Sequence, residues 1–173
     1  MKVRLAAACL AALLVLPGAA RVQEVPDDVL AGAIAATLRN DLRLTIFDQV
    51  NGHVDGATVV LTGKVTSPEK RLEIQQRVAT LAGVAGIRNH VTVLPTSRFD
   101  DDLRYRISRA IYGHPSFWTY AAMPHPPIHI IVENGHVTLT GIVNSRVERA
   151  MARSLASGYG EFSIVNELRT NQE

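Results

Sequence analysis

The chain has 173 residues, with 18 lysines and arginines against 16 aspartates and glutamates, and a single cysteine. Two of the basic residues, Lys2 and Arg4, lie in the first twenty residues, which contain no acidic residue, so the remainder carries 16 charges of each sign. This balance excludes the basic domain or tail with which proteins attract nucleic-acid phosphates, and we predict no nucleic-acid partner.

The first twenty residues have the pattern of an export signal. After Lys2 and Arg4, an unbroken apolar run of twelve residues extends over 5–16, and Pro17-Gly18-Ala19-Ala20 follows it with small residues. Twelve apolar residues are too few to span a bilayer, which takes about 20. We therefore predict a signal peptide over 1–20, cleavage after Ala20 and a periplasmic protein. Cys9 would be removed with the signal, which leaves no thiol in the mature chain.

Residues 27–94 predict a helix, two strands, a second helix and a third strand. A turn at Asp55-Gly56 separates the first two strands, and Gly83 ends the second helix. In chain order the predicted elements are a helix with the apolar stripe Leu30, Ile34 and Leu38, strands over 47–54 and 57–65, a helix that opens at Ser67-Pro68, and a strand over 87–93. Residues 95–98 form the predicted linker.

The same order of elements returns over 99–170. Asp100 to Asp102 precede the apolar stripe of the next helix, and Asn134-Gly135 predicts a tight hairpin turn because both central residues of such a turn need positive φ. Ser145 and Glu148 form a capping box at the start of the last helix. Alternation along the hairpin places His129, Ile131, Thr138 and Thr140 on the sheet face opposite the core.

The two halves are copies of one unit. Residues 59–67 read Val-Val-Leu-Thr-Gly-Lys-Val-Thr-Ser, and residues 137–145 read Val-Thr-Leu-Thr-Gly-Ile-Val-Asn-Ser. Gly63 and Gly141 fall on the inward face of their strands, where a side chain is expected, and we predict that a helix approaches the sheet closely there.

This pattern resembles the BON family, the domain named for bacterial OsmY and nodulation proteins. It consists of a helix, a hairpin with Val-x-Leu-x-Gly-x-Val, a second helix, and a closing strand with Asn89 or Asn166. The resemblance implies two tandem α/β domains of the α+β type, each a small mixed three-stranded sheet with two helices on one face. It also implies a non-enzymatic role in association with phospholipid or the membrane surface, tied to envelope maintenance or osmotic stress.

The second copy differs from the first by about five extra residues between Ile111 and Val137. The segment 112–127 contains aromatic residues interrupted by four prolines, which predicts a loop without regular structure. An aromatic cluster on a loop suits a bilayer interface, and arginines on the preceding helix would attract anionic headgroups. The predicted contact residues are Phe117, Trp118, Tyr120, Met123, Arg104, Arg106 and Arg109. Alternatively, the aromatic residues cap the small domain or fill the seam between the copies.

A second class of function uses the sheet face opposite the helices or a strand edge. There His129, Ile131, Thr138 and Thr140 would bind an envelope protein or another molecule of the same chain. No catalytic motif is present, and no cofactor is predicted. In the predicted hairpin His129 and His136 lie roughly 13 Å apart, too far to share one metal ion, and no metal site is predicted.

Overall fold

The structure is a computed structural model that describes residues 25–41 and 43–171. The predicted signal peptide and Cys9 lie outside the described residues. Two units follow one another in the chain, here called copy 1 and copy 2. Copy 1 comprises α1 (Asp27–Arg39), β1 (Gln49–Asp55), β2 (Thr58–Val65), α2 (Pro68–Ala79) and β3 (Gly86–Val93). Copy 2 comprises α3 (Arg98–Tyr112), a 3₁₀ turn (Pro115–Phe117), α4 (Trp118–Ala121), β4 (Ile128–Glu133), β5 (His136–Val143), α5 (Arg146–Leu155) and β6 (Ser163–Thr170).

Each copy contains one mixed three-stranded sheet, as the sequence predicts. The strand orders are β1-β2-β3 and β4-β5-β6, and the middle strand is antiparallel to the strand before it and parallel to the strand after it. The registers are equivalent, since Gly52 lies opposite Leu61 in copy 1 and Ile130 lies opposite Leu139 in copy 2. The α+β architecture of two tandem αββαβ units is confirmed.

The helices of each copy cover one face of its sheet and form its core there. Among the described residues, eight buried side chains form the core of copy 1 and fourteen form the core of copy 2. Ile34 and Leu61 are fully buried in copy 1, as are Ile107 and Leu139 in copy 2. The larger core of copy 2 includes two aromatic residues of the extra segment, Phe117 and Tyr120.

Serine hydroxyls start three of the helices. Ser67, Ser97 and Ser145 each accept a hydrogen bond from the backbone N–H three residues later, which satisfies one of the free amides of the first turn. Because Ser97 is the cap of α3, that helix begins earlier than the sequence predicts, and Asp100 lies inside it. Its buried carboxylate accepts from the N–H groups of Asn134 and Gly135 at 2.8 Å each, which ties the hairpin turn to α3.

The prediction that a helix approaches the sheet closely at Gly63 and Gly141 is wrong. A Cβ at Gly63 would collide with the carbonyl oxygen of Gln49, the first residue of β1, and a Cβ at Gly141 with that of Pro127, the residue before β4; φ at the two glycines is +126° and +122°. It is therefore the start of the preceding strand, and not a helix, that approaches the sheet here. Glycine is required both by the close approach and by the positive φ.

The first strand also starts later than predicted. Residues 46 and 47 form a turn that ends at Asp48, and β1 begins at Gln49. The carboxylate of Asp48 accepts from the backbone N–H and the hydroxyl of Thr45, at 2.8 Å each, and these bonds hold the turn in place of an extended strand.

Candidate functional site

The extra segment of copy 2 is more regular than the sequence predicts. Pro115 opens the 3₁₀ turn, the ring of His114 accepts from the N–H of Ser116, and Trp118–Ala121 completes one turn of α-helix. Proline fits the first position of such a turn because the N–H that it lacks would have no partner there. The prediction of a loop without regular structure is therefore wrong for residues 115–121.

Phe117 and Tyr120 lie inside the core of copy 2. Phe117 is fully buried, Tyr120 is 4% exposed, and their ring centroids are 6.0 Å apart. The Tyr120 hydroxyl donates to Oε2 of Glu148 at 2.7 Å and accepts from the N–H of Asn144 at 2.9 Å. Burial, with the hydrogen bond to Glu148, raises the pKa of Tyr120 to about 12. Both residues fasten the segment to the domain, which removes them from the set predicted to contact a membrane.

Copy 1 satisfies the equivalent amide in a different way. Thr66 follows β2 as Asn144 follows β5, and its N–H donates to the buried carboxylate of Asp48 at 2.7 Å. The place of Glu148 is taken by Lys70, whose ammonium lies 2.6 Å from Asp48. The Tyr120–Glu148 pair of copy 2 thus replaces the Asp48–Lys70 pair of copy 1 and joins the extra segment to α5.

The same segment presents apolar side chains to solvent. Trp118 is 61% exposed and Met123 is 44% exposed, while Val147, in the first turn of α5, is 69% exposed. The segment follows the C-terminal end of α3, and the Tyr120–Glu148 bond brings it to the first turn of α5. The indole N–H of Trp118 donates to the carbonyl of Gly113 at 3.2 Å, so its one polar group has a partner within the protein. We call Trp118, Met123 and Val147 the apolar tip.

The three arginines of α3 that the sequence predicts to contact a membrane have different surroundings. Arg104 is buried, donates to the carbonyl of Val132 and pairs with Asp101, so it belongs to the packing of α3 and not to a membrane contact as predicted. Arg106 is exposed and pairs with Asp102 at 2.5 Å. Arg109 is exposed, and no described acidic group pairs with it. It lies four residues before Gly113, about 6 Å along the helix axis from the carbonyl that holds Trp118.

The face predicted for a protein partner is largely covered. Ile131 is 4% exposed and Thr140 is 6% exposed, while His129 and Thr138 are half-buried. The prediction of an open face is wrong because copy 1 lies against it. Lys64 of β2 pairs with Glu133 of β4, and both side chains project from the faces of the sheets opposite the helices.

We call the contact between the two copies the seam, and His129 of copy 2 is part of it. Its Nδ1 lies 2.6 Å from the backbone carbonyl oxygen of Asp48 in copy 1. Burial lowers the pKa of His129, and the hydrogen bond to Asp48 opposes the shift without cancelling it. The ring is therefore neutral at pH 7, and its Nδ1–H donates to that carbonyl.

In the last strand of each copy, an asparagine side chain accepts a hydrogen bond from a backbone N–H of the same strand. The N–H of Val91 donates to Oδ1 of Asn89 at 3.0 Å, and the N–H of Leu168 donates to Oδ1 of Asn166 at 3.3 Å. Each asparagine also donates to a carbonyl of the second helix of its copy, at Arg71 and Arg149. An amide that is already bonded cannot pair with an added strand, so β3 and β6 are poor sites for strand addition.

No cluster of three or more histidine, cysteine or acidic side chains suited to a metal ion occurs within residues 25–41 and 43–171. Over the same residues, no helix has the length and hydrophobicity needed to cross a bilayer.

Comparison with known proteins identifies the repeated unit. The family model described as BON domain matches residues 26–95 and again residues 100–172. No curated protein matches the chain. Solved structures similar to it include CdsD, a structural protein of the type III secretion system of Chlamydia trachomatis, at 14% identity and a TM-score of 0.30, over 83% of this chain and 94% of that one. The C-terminal domain of CdsD matches at 12% identity and a TM-score of 0.31, over 83% of this chain and 98% of that one. At these scores the likeness carries no argument about function.

Proposed function

Because the chain belongs to the BON domain family, with two tandem copies of the domain, we propose that it is a non-enzymatic module that docks reversibly on a phospholipid surface. The observation that carries this proposal is the apolar tip. Trp118 and Met123 are exposed on a segment that the buried Phe117 and Tyr120 hold to the core, and Val147 is exposed in the first turn of α5, next to Glu148, which bonds to Tyr120. A rigidly mounted apolar group enters a bilayer interface at a small cost in conformational entropy.

The chemistry of Trp118 suits the interfacial region. Tryptophan rings are enriched at headgroup depth because they combine a large apolar body with one polar group. Here the indole N–H is already bonded to Gly113, so the ring loses no hydrogen bond to water when it leaves the solvent. Arg109 would add attraction to an anionic headgroup, worth about 1 kcal/mol near such a surface. One aromatic ring, two smaller side chains and one free cation support weak, reversible docking rather than permanent anchoring.

We further propose that this docking takes place in the cell envelope, with the mature protein in the periplasm. The export pattern of residues 1–20 supports this location, and the family is one of envelope-associated modules. N-terminal sequencing of protein purified from the periplasmic fraction tests it. A retained Met1 would contradict cleavage after Ala20.

The docking proposal is tested with vesicles and the only tryptophan of the chain. Trp118 is expected to emit as an exposed indole in buffer and to shift to the blue when vesicles of phosphatidylglycerol and phosphatidylethanolamine are added. Trp118→Ala is expected to reduce co-sedimentation with these vesicles at least fivefold and to leave the circular dichroism spectrum unchanged, since the ring is 61% exposed. Arg109→Gln should weaken binding to anionic vesicles and not to neutral ones.

Phe162→Ala provides the matched control. Phe162 is another exposed aromatic residue of copy 2, 73% exposed, but it lies beside the Asn134-Gly135 turn, where its N–H donates to the carbonyl of Gly135. If both substitutions reduce co-sedimentation equally, general surface hydrophobicity and not the apolar tip is responsible. If vesicles change neither the emission of Trp118 nor the sedimentation of the protein, the proposed function is wrong.

A further inference from the structure

A cleft of about 580 Å³ lies between the two copies. Leu38 and Arg39 of α1 and the β1 segment from Gln49 to Gly52 line it on the side of copy 1, while Pro126 and Arg169 are among the residues that line it on the side of copy 2. Its size falls in the range of sites that hold small ligands or a few residues of peptide.

Copy 2 has a groove of the same kind, and residues of copy 1 occupy it. There the groove between α3 and β4 is filled by the turn of copy 1 that precedes β1. The carbonyl of Ile46 accepts from the N–H of Ile130 at 2.7 Å, and Phe47 packs edge-to-face on Tyr105 of α3 with ring centroids 5.4 Å apart. Ile46 and Phe47 both pack against the core of copy 2. A short peptide segment with bulky apolar side chains therefore fits this type of groove.

The equivalent groove of copy 1 is the cleft. Gly52 corresponds to Ile130, since each lies opposite the matching leucine of the next strand, Leu61 or Leu139. Its N–H therefore points away from β2 as that of Ile130 points away from β5. Among the described residues, no group accepts a hydrogen bond from Gly52 on this side. Tyr105 of α3 is matched in α1 by Gly32, where a Cβ would meet nothing within 4 Å.

The charged residues at the cleft indicate the charge of the molecule that would bind there. Arg39 and Arg169 are exposed at the cleft, and neither pairs with an acidic group in the part of the chain that the structure describes. The carboxylates that line the cleft, Asp41 and Asp48, are buried and bonded within the protein. A lipid acyl chain in the cleft would leave the Gly52 amide without a hydrogen-bond partner, which costs free energy. A peptide carbonyl would accept from this amide and avoid that cost.

We propose that the cleft between the copies binds a short peptide segment of a partner protein, with a carbonyl that accepts from Gly52, bulky apolar side chains, and a carboxylate that meets Arg39 or Arg169. This site is separate from the apolar tip and does not depend on docking to lipid. Copy 1 thereby holds a partner as copy 2 holds the turn at Ile46 and Phe47.

The test uses the full chain and a synthetic peptide of residues 43–49, acetylated and amidated, whose Ile46, Phe47 and Asp48 supply the three features. In amide NMR spectra of the ¹⁵N-labelled protein, the peptide is expected to shift the Gly52 amide. Ala35→Phe fills the cleft from α1 and is expected to weaken binding at least tenfold. Ala36→Phe, on an exposed neighbouring position that does not line the cleft, is the matched control and should change binding less than twofold.

A second comparison tests the charge. The peptide with asparagine in place of its aspartate should bind the unchanged protein several-fold more weakly than the original peptide does. The double variant Arg39→Gln, Arg169→Gln should bind the two peptides equally. Trp118→Ala should leave peptide binding unchanged, so a failure of the docking proposal can be told apart from a failure of the peptide site. If the peptide does not shift Gly52, or if only short-chain phosphatidylglycerol does, the inference is overturned and the cleft is not a peptide site.

Discussion

Asp48 organises the segment between α1 and β1. Its side chain is 1% exposed and accepts hydrogen bonds from Thr45, Thr66 and Lys70. Burial alone would raise the pKa of Asp48, but the bonds from Lys70, Thr45 and Thr66 outweigh it and hold the pKa below its usual value. The ionised carboxylate is therefore part of the fold, and it fixes the turn that carries Ile46 and Phe47 to copy 2.

Removing this charge should destabilise the protein. Asp48→Asn leaves the Lys70 ammonium, which is largely buried, without its partner, and breaking a pair of this kind costs roughly 3 to 5 kcal/mol when both groups are buried. We expect a loss near the lower end, since Lys70 keeps some contact with water. Urea unfolding at pH 7 measures it.

The pH dependence of that loss is a separate check. Because the pKa of Asp48 is lower in the folded than in the unfolded protein, its contribution is fully present above the unfolded value of about 3.9 and disappears as pH falls through the folded value. The difference in unfolding free energy between the original protein and Asp48→Asn should accordingly shrink from pH 5 to pH 2. A difference that stays constant over this range would show that the carboxylate acts through its shape and not its charge.

Gly141 and Gly32 have opposite surroundings, and substitution by alanine is expected to have opposite effects on stability. At Gly141, positive φ and the carbonyl of Pro127 both exclude a Cβ, and the unfavourable φ alone costs about 1 to 3 kcal/mol. At Gly32, inside α1, nothing lies within 4 Å of the Cβ position, and alanine is favoured over glycine in a helix by about 1 kcal/mol. Gly141→Ala should therefore destabilise the protein and Gly32→Ala should stabilise it, as urea unfolding would reveal. Equal effects would contradict the strand approach at Gly141.

Elements whose cause is local were predictable from the sequence. The turn at Asn134-Gly135, with φ of +51° and +77°, and the serine caps at Ser67 and Ser145 follow from neighbouring residues, and the structure confirms them. The extra segment was not predictable in the same way, because prolines interrupt a long helix and yet suit the first position of a short turn. The sequence places Asp100 before the apolar stripe of α3, but its bonds to a turn 34 residues away leave no local signal.

The contacts between the two copies could not be predicted from the duplication in the sequence. Repeat matching aligns the residues that both copies share, whereas the seam uses residues that only one copy has, such as Ile46 and Phe47 before β1 and Lys64 within β2. Alternation along β4 also predicted an open face at Ile131, and copy 1 covers it. The candidate membrane residues divide for a similar reason: the sequence located the aromatic cluster, but only the packing separates the exposed Trp118 from the buried Phe117 and Tyr120.

The seam should couple the stabilities of the two copies through Phe47. Its ring packs on Tyr105 and against the core of copy 2, although it belongs to copy 1. Phe47→Ala is therefore expected to destabilise copy 2 by about 2 kcal/mol, less than the cost of truncating a fully buried phenylalanine because the ring is only half-buried. The indole N–H of Trp118 is bonded to Gly113 within copy 2, so the urea midpoint at which its folded-state NMR signal disappears should fall. Leu72→Ala, which truncates a side chain of α2 that is 56% exposed, is the control and should leave that midpoint unchanged. If Phe47→Ala lowers the circular dichroism midpoint but leaves the Trp118 midpoint where it was, the turn stabilises copy 1 alone and the two copies unfold independently.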